Sequence, residues 1–139
     1  MKNNIYKVLV TLGTSDGSTT DREENDFYST SPIATTKMVN WLKENVPSCV
    51  SWRIWEPCCG TGRITKVFED NGLNVTANTD LIDRGFGESE VNFLTQTEVK
   101  NNANAIVTNP PYKYALEMNK KAIELLKDGE YYVFLGRIQ

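Results

Sequence analysis

The sequence predicts an α/β domain built on a mostly parallel sheet, and three observations lead to that fold class. Segments rich in β-branched and aromatic residues alternate with segments of helical periodicity along most of the chain. Short glycine-rich or proline-rich turns separate these segments. The chain has 139 residues, of which 40% are hydrophobic, so it can form one hydrophobic core. Strand, turn and helix in this alternation are typical of βαβ units.

Composition narrows the classes of function. The net charge is −3, whereas proteins that bind nucleic acids without specificity are normally basic. The chain contains no histidine, which excludes histidine-dependent catalytic triads and most zinc sites. No apolar run approaches the length of a membrane span, and the N-terminus lacks a signal-peptide pattern. We therefore expect a cytoplasmic protein with no membrane partner.

The whole chain, residues 1–139, is predicted to be a single domain. Residues 5–12, "IYKVLVTL", have the β-branched and aromatic composition of a strand. Residues 13–29 are rich in glycine, serine, threonine and acidic residues, so we expect a loop there. An N-terminal strand and loop thus precede the main part of the domain, residues 30–139.

Helix and strand signals follow in order. Ser31 is a suitable N-cap and Pro32 a suitable first residue for an amphipathic helix that ends at Pro47. Arg53 to Glu56 are predicted to form a short strand, and "PCCGTG" a tight turn. A helix follows this turn, with Gly72 just past its end.

The second half of the chain repeats the alternation. Its predicted elements are the strand "LNVTANTD", a loop at "RGFGE", a brief strand "VNFL", a loop at "KNNANA", the strand "AIVTN", a helix closed by Gly129, and a last strand "YYVFLG". Because ligands bind at the carboxyl ends of parallel strands, the residues after each strand are the candidate site.

Two glycines and an acid follow neighbouring strands. Gly60 and Gly62 lie in the turn between a strand and a helix, where glycine lets a ligand approach the backbone closely. Asp80 ends the next strand, about 20 positions after Gly60, the distance at which an acid commonly accepts hydrogen bonds from a ribose. No third glycine completes the dinucleotide fingerprint, and no lysine follows at P-loop spacing. S-adenosylmethionine (SAM), an adenosine cofactor without a pyrophosphate, fits this pattern better.

The tetrapeptide Asn109-Pro110-Pro111-Tyr112 ends the next strand. Two acceptors, the Asn109 side-chain oxygen and the Pro110 carbonyl, could orient an exocyclic amine toward a methyl donor. The prolines would hold that carbonyl rigidly, and Tyr112 could stack on a base. The alternative is a strand-ending turn with a half-buried tyrosine. The glycine turn and Asp80 at the same sheet edge favour the amine site.

In these motifs the chain resembles the amino-group DNA methyltransferases that use SAM, most closely the N6-adenine type of bacteriophages and prophages. The motifs are "DFYSTSP", "WEPCCGTGRI", "NTDLIDRGFG", "VNFL" and "IVTNPPYKYALE", and they span roughly residues 20–139. The resemblance implies a Rossmann-like SAM-methyltransferase fold. It also implies DNA as the partner, with an adenine target, in a bacterial or phage-infected cell.

The resemblance also implies roles for individual residues. The residues implied to bind SAM are Thr30 and Pro32 at its methionine end, Glu56, Cys58, Gly60 and Gly62 as its cradle, Asp80 at its ribose and Asn92 near its adenine. The residues implied to hold the target base and carry catalysis are Asn109, Pro110, Pro111 and Tyr112. Lys37, Arg84 and Lys113 flank the site and are candidates for phosphate contacts.

Two departures from the family pattern suggest an alternative function. Asn92 stands where the relatives usually carry an aspartate. The chain also ends near the fifth strand, so we expect a domain shortened at its C-terminus, without the further strands that the family adds. Residues 5–12, a protein partner or a second copy of the chain could then cover the open sheet edge. The alternative is a catalytically inactive binding module, such as a phage-encoded inhibitor of a host protein or nucleic-acid complex.

Overall fold

The computed structural model describes residues 6–12, as backbone, and residues 30–137. The loop predicted for residues 13–29 lies outside the described residues. In chain order the described elements are β1 (Tyr6–Leu12), α1 (Pro32–Asn45), β2 (Arg53–Glu56), α2 (Arg63–Asp70), β3 (Asn74–Asn78), β4 (Ala105–Thr108), α3 (Ala115–Leu125) and β5 (Tyr131–Arg137). Short 3₁₀ turns occupy Pro47–Ser51, Phe93–Thr95, Lys100–Asn102 and Tyr112–Tyr114.

The described strands form one sheet in the order β1-β5-β4-β2-β3. Every pair of neighbouring strands is parallel. The predicted α/β class is therefore confirmed, and the architecture is compatible with a Rossmann-like fold. Strands β2 and β4 lie inside the sheet, so each of them has a neighbouring strand on both sides.

The N-terminal strand β1 covers the outer edge of β5. Tyr6 lies opposite Tyr131 and Leu12 opposite Arg137, in parallel register. The prediction that this N-terminal strand joins the sheet of its own chain is confirmed for Tyr6–Leu12. Val133 and Leu135 of β5 are completely buried. An apolar strand of this kind would otherwise present unpaired backbone groups at an open edge.

Helices cover both faces of the sheet, and each strand contributes to two apolar layers. On β2, Ile54 packs in the layer with α1 and α2, while Trp55 packs in the layer with α3. This alternation follows from the two-residue period of a strand. In β3 a register shift skips Thr76, so Val75 and Ala77 belong to opposite layers despite their even spacing.

The predicted start of α1 is confirmed. The Ser31 side chain accepts a hydrogen bond from the Ala34 amide at 3.4 Å, and Pro32 is the first helical residue. The helix ends at Asn45, just before Pro47. Helix α3 ends at Leu125, earlier than the expected closure at Gly129. Within the described ranges no helix combines the length and the apolarity that crossing a membrane requires.

The brief strand predicted at "VNFL" is wrong. These residues form a 3₁₀ turn, Phe93–Thr95, and the Asn92 side-chain oxygen accepts from the Leu94 amide at 3.0 Å. An asparagine side chain offers the backbone this local alternative to pairing in a sheet. Phe93 is buried and packs edge-on against Trp55, with ring centroids 5.1 Å apart. The strand predicted at "LNVTANTD" is also shorter, Asn74–Asn78.

Candidate functional site

The sheet topology opens a crevice at the carboxyl ends of β2 and β4. After β2 the chain runs to β3 on one side, and it then returns to β4 on the other side. Parallel sheets bind ligands at such a switch point. A cavity of about 280 Å³ lies there. Its walls include Thr30, Pro57, Cys58, Cys59, Gly60, Thr61, Arg63, Ile64, Asp80, Leu81, Ile82, Arg84, Val91, Asn92, Phe93, Leu94, Asn109, Pro111, Tyr114 and Met118.

The glycine turn, residues 57–62, forms the floor of this cavity. Gly60 and Gly62 both have positive φ angles, 55° and 89°, which side chains rarely adopt. A Cβ atom on Gly62 would lie 2.9 Å from the ring of Phe86. Glycine is required at position 62 for both reasons, because the loop after β3 packs directly on the turn.

Asp80 joins the glycine turn to the loop that follows β3. Its Oδ2 accepts a hydrogen bond from the Gly60 amide at 2.8 Å, and its Oδ1 accepts from the Ile82 amide at 3.0 Å. The carboxylate therefore holds the shape of the cavity wall. A carboxylate has about four acceptor positions, so each oxygen can still accept another hydrogen bond. Contact with a ribose remains a prediction.

Glu56 is the last residue of β2 and is almost completely buried. Its Oε2 accepts from the Cys58 amide at 2.6 Å. Burial raises the pKa of this carboxyl well above its ordinary value, and the nearby Asp80 charge adds to the rise. The Thr108 side chain and the Cys58 amide oppose the rise in pKa. The shift favours the neutral form of the acid.

Asn109 follows β4 and reaches across to the segment before α1. Its Nδ2 donates to Thr30 Oγ1 at 3.1 Å. Thr30 is buried, so this contact is protected from water. Asn109 Oδ1 is also buried, and no described residue provides it with a hydrogen-bond donor. The amide is thus fixed through its nitrogen while its oxygen keeps its acceptor capacity.

Two more buried oxygens lack a hydrogen-bond partner among the described residues. They are Glu56 Oε1 and Thr108 Oγ1, and both belong to strand ends beside Asn109. Buried polar atoms are normally satisfied, and each exception calls for a physical explanation. Of these three residues Asn109 lines the cavity, whereas Glu56 and Thr108 are buried behind its described wall.

The tetrapeptide after β4 contributes two of its four residues to the described cavity wall. Asn109 and Pro111 line the cavity. Pro110 and Tyr112 are not among the described residues that form its wall. Tyr112 starts the 3₁₀ turn Tyr112–Tyr114, and the ring that reaches the wall is that of Tyr114. Stacking of Tyr112 on a base stays a prediction, and the position of Tyr112 outside the described wall does not favour it.

The remaining predicted cofactor residues differ in position. Cys58 lines the cavity and its Sγ lies 3.8 Å from Met118 Sδ. Burial raises the pKa of the Cys58 thiol well above its ordinary value and raises that of Cys59 to about 12, so neither forms a thiolate at neutral pH. Asn92 lines the cavity although its oxygen also caps a turn. Pro32 is exposed and lies outside the part of the cavity wall that the structure describes.

Sequence reasoning missed Tyr114, Met118 and Phe93 as wall residues. Tyr114 and Met118 are four positions apart across the start of α3, a spacing that brings side chains to one helix face. That spacing was a usable signal. Phe93 was missed because "VNFL" was interpreted as a strand.

Comparison of this chain with protein-family models, with curated proteins and with solved structures found no match. The case for a function therefore rests on the geometry of the cavity and on the motifs in the sequence.

Proposed function

We propose that this chain transfers a methyl group from SAM to the exocyclic N6 amine of adenine in DNA. The observation that carries the proposal is the Asn109 amide. Its nitrogen is held by Thr30 at 3.1 Å, and its buried oxygen has no donor among the described residues. An acceptor fixed in this way at a cavity wall suits an amine, which brings N–H donors.

The residues at the cavity suit SAM by their charge and their shape. SAM supplies a methyl group bound to a positively charged sulfur. Asp80 at the wall is an acid that favours a positively charged ligand, whereas Glu56 behind it favours its neutral form and adds little charge. Gly60 and Gly62 would bring the backbone of the turn close to the ligand. Thr30, Cys58 and Asn92 would complete the contacts.

The proposed chemistry needs positioning more than a strong base. The lone pair of an exocyclic amine is delocalised into the base, so the nitrogen is a weak nucleophile. Asn109 Oδ1 would accept one amine hydrogen and help direct the lone pair toward the methyl group. The Pro110 carbonyl, the second acceptor predicted from the sequence, belongs to a residue outside the described wall. The nitrogen would take the methyl group as its bond to the sulfonium breaks, which would leave the sulfur as a neutral thioether, and one amine proton would pass to solvent. Thr30 would keep the amide from rotating, so that its oxygen meets the amine.

Access to the amine sets a condition on the DNA. An adenine inside a duplex cannot bring its amine to Asn109 at the bottom of a cavity. The target nucleotide would have to swing out of the duplex or belong to a single strand. Unstacking costs a few kcal/mol, so the site must offer the extruded base a compensating contact.

A second function, a binding module without catalysis, is favoured by specific observations. Both Asp80 oxygens already accept backbone amides, and the Asn92 oxygen already caps a turn. These contacts stabilise the fold and give the two residues a role that needs no cofactor. In this case the chain would present the same surface to a protein or nucleic-acid partner without methyl transfer.

Calorimetric titration with SAM, together with transfer of a labelled methyl group to DNA, separates the two functions. The methyltransferase proposal predicts SAM binding and labelled adenine. Asp80→Ala should weaken SAM binding by about 1.5–3 kcal/mol, the contribution of hydrogen bonds to a charged group. Asp80→Asn is the control, since it keeps one acceptor oxygen. Binding of SAM without transfer would support the binding module. If the chain neither binds SAM nor transfers a methyl group, the methyltransferase proposal is refuted.

A further inference from the structure

An aromatic ring that the motif analysis did not assign stands at the mouth of the cavity. Tyr114 lines the cavity together with Asn109 and Pro111. It is 44% exposed, so part of its ring is accessible to solvent. The ring is therefore available to a ligand that reaches Asn109.

The local backbone explains why Tyr114, and not Tyr112, reaches the wall. Residues Tyr112–Tyr114 form a 3₁₀ turn, which has three residues per turn. Side chains two positions apart on such a turn point in widely different directions. Only one of the two rings can face the cavity, and the wall contains Tyr114.

The start of α3 fixes the orientation of Tyr114. Met118 lies one helical turn further on and is buried at the same wall. Its Sδ lies 3.8 Å from Cys58 Sγ in the glycine turn. This contact anchors the start of α3 to the glycine turn. Tyr114 is the N-cap residue of α3, so the same packing positions the backbone that carries its ring.

Lys113 adds positive charge beside the ring. Its Nζ lies 5.1 Å from the centre of the Tyr114 ring, within the range of a cation–π contact. Lys113 is exposed, so its ammonium group can also approach a phosphate. An aromatic face next to a cation at a cavity mouth is the combination that binds a base and its phosphate in single-stranded nucleic acids.

We propose that Tyr114, with Lys113 beside it, is the stacking platform for the base whose amine reaches Asn109. The ligand class is a purine nucleotide that is single-stranded or extruded from a duplex, and Tyr114 selects it by its planar face. The inference rests on the proposed function for the role of Asn109. It replaces Tyr112, the tyrosine of the motif itself, as the residue that contacts the base.

The probe for this inference is 2′-deoxyadenosine 5′-monophosphate, titrated into the full chain with and without saturating SAM. Tyrosine ring signals are followed by NMR, with Tyr112→Phe and Tyr114→Phe used to assign them. Stacking predicts a ring-current shift of the Tyr114 signals that persists when SAM is bound. A shift of Tyr114 caused by SAM alone, and no further shift on adding the nucleotide, would place Tyr114 at the cofactor and overturn the inference.

Variants measure the contribution of the ring. Tyr114→Leu should weaken nucleotide binding about 5- to 150-fold, the range for loss of one base–aromatic stack. Tyr114→Phe keeps the ring and should bind as the wild type does. Leu116→Ala, at a 62% exposed position in the same segment, is the matched control for a surface change. Lys113→Gln should weaken binding more at low salt than at high salt.

The outcomes separate this inference from the proposed reaction. If Tyr112→Leu weakens nucleotide binding and Tyr114→Leu does not, the platform is wrong, whatever the activity. If wild-type protein transfers no methyl group but Tyr114 still stacks on the nucleotide, the reaction is wrong and the platform stands. Thermal unfolding of each variant shows whether a loss of binding reflects loss of the fold.

Discussion

The two sides of the cavity differ in how their buried oxygens are satisfied. On the β3 side, residues 57–62 and 78–91, backbone amides find acceptors: Cys59 donates to Thr79 at 2.9 Å, and Glu88 donates to Asn78 at 2.9 Å. Asp80 accepts two further backbone amides. On the β4 side, each of three adjoining residues carries a buried oxygen with no partner within the described chain. We name these residues, Glu56, Thr108 and Asn109, the acceptor cluster.

This difference in hydrogen bonding indicates which side of the cavity is rigid and which side offers groups to a ligand. A region whose polar groups form hydrogen bonds with one another keeps its shape without a ligand. A buried oxygen without a donor costs the protein roughly 1–3 kcal/mol. Such a cost persists at sites where the group meets a donor during function. We therefore interpret the β3 side as the rigid wall, and we propose that Asn109, the member of the acceptor cluster that lines the cavity, is the group that meets a substrate.

The largest expected effect is a clash within the rigid wall. Gly87 has a φ angle of 73°, and a Cβ there would lie 2.7 Å from the Asn78 carbonyl oxygen. Gly87→Ala should destabilise the protein by about 2–4 kcal/mol through backbone strain and overpacking. Gly85 is the matched control, since its φ angle is 83° but nothing lies within 4 Å of its Cβ position.

Denaturant unfolding of both alanine variants measures the difference. Gly85→Ala should lose only about 1 kcal/mol, the cost of the left-handed conformation alone. Equal losses for the two variants would mean that the loop after β3 yields to the new methyl group, and that this side of the cavity is not rigid.

The next largest difference in unfolding free energy is expected between Thr→Val variants at two buried threonines. Thr79 Oγ1 accepts from the Trp55 indole at 3.0 Å, so Thr79→Val leaves a buried donor unpaired. This variant should lose about 1–3 kcal/mol of unfolding free energy. Thr108 is equally buried, and its hydroxyl lowers the pKa of Glu56 but has no hydrogen-bond partner of standard geometry among the described residues. Thr108→Val should stay within about 0.5 kcal/mol of the wild type or exceed it.

The same denaturation experiment serves both threonine variants. A loss for Thr108→Val as large as that for Thr79→Val would show that the Thr108 hydroxyl is satisfied in the folded protein. The acceptor cluster would then not differ from the rest of the wall.

A smaller, pH-dependent effect is expected at Glu56. Burial raises the pKa of its carboxyl, so the folded state binds the proton more tightly than the unfolded state does. Its contribution to stability is therefore fully present below the unfolded pKa and is lost as the pH rises toward the folded pKa. Glu56→Gln keeps an oxygen for the Cys58 amide but does not titrate.

Unfolding free energies measured from acid to neutral pH test this sign. The stability of Glu56→Gln relative to the wild type should rise with pH, starting near the ordinary pKa of a glutamate. Glu124→Gln, at an exposed position, is the control for removal of a carboxyl. A stability difference that falls with pH would mean that Glu56 is stabilised in its charged form.

Local signals made much of the fold predictable. Ser31 and Pro32 start α1 because a cap and a rigid φ angle act within one turn. The prolines after Asn109 end β4 for a similar reason. The same logic failed at Asn92, where two local tendencies compete: β-forming neighbours favour a strand, and the asparagine side chain favours a turn. Burial of Phe93 against Trp55 is compatible with the turn. The segment "VNFL" has four residues, which are too few for periodicity to distinguish a strand from a turn.

The site was predictable in its location but not in its contacts. Strand order placed Gly60, Asp80 and Asn109 at one sheet edge. The Asn109–Thr30 hydrogen bond, however, joins residues 79 positions apart. The contact of Met118 with Cys58 at the cavity wall likewise joins residues 60 positions apart. Such contacts depend on how the layers pack, and no pattern within a short segment reports them.

The most direct test of the acceptor cluster is labelled methyl transfer from SAM to DNA by wild type and Asn109→Ala, with SAM affinity measured by calorimetry. Transfer by Asn109→Ala should fall by about 10²–10³-fold, a magnitude typical for loss of one positioned hydrogen-bonding group. SAM affinity should stay within about twofold, because Asn109 acts chiefly in the transition state. Retained transfer in Asn109→Ala, or a loss explained entirely by weaker SAM binding, would contradict the account.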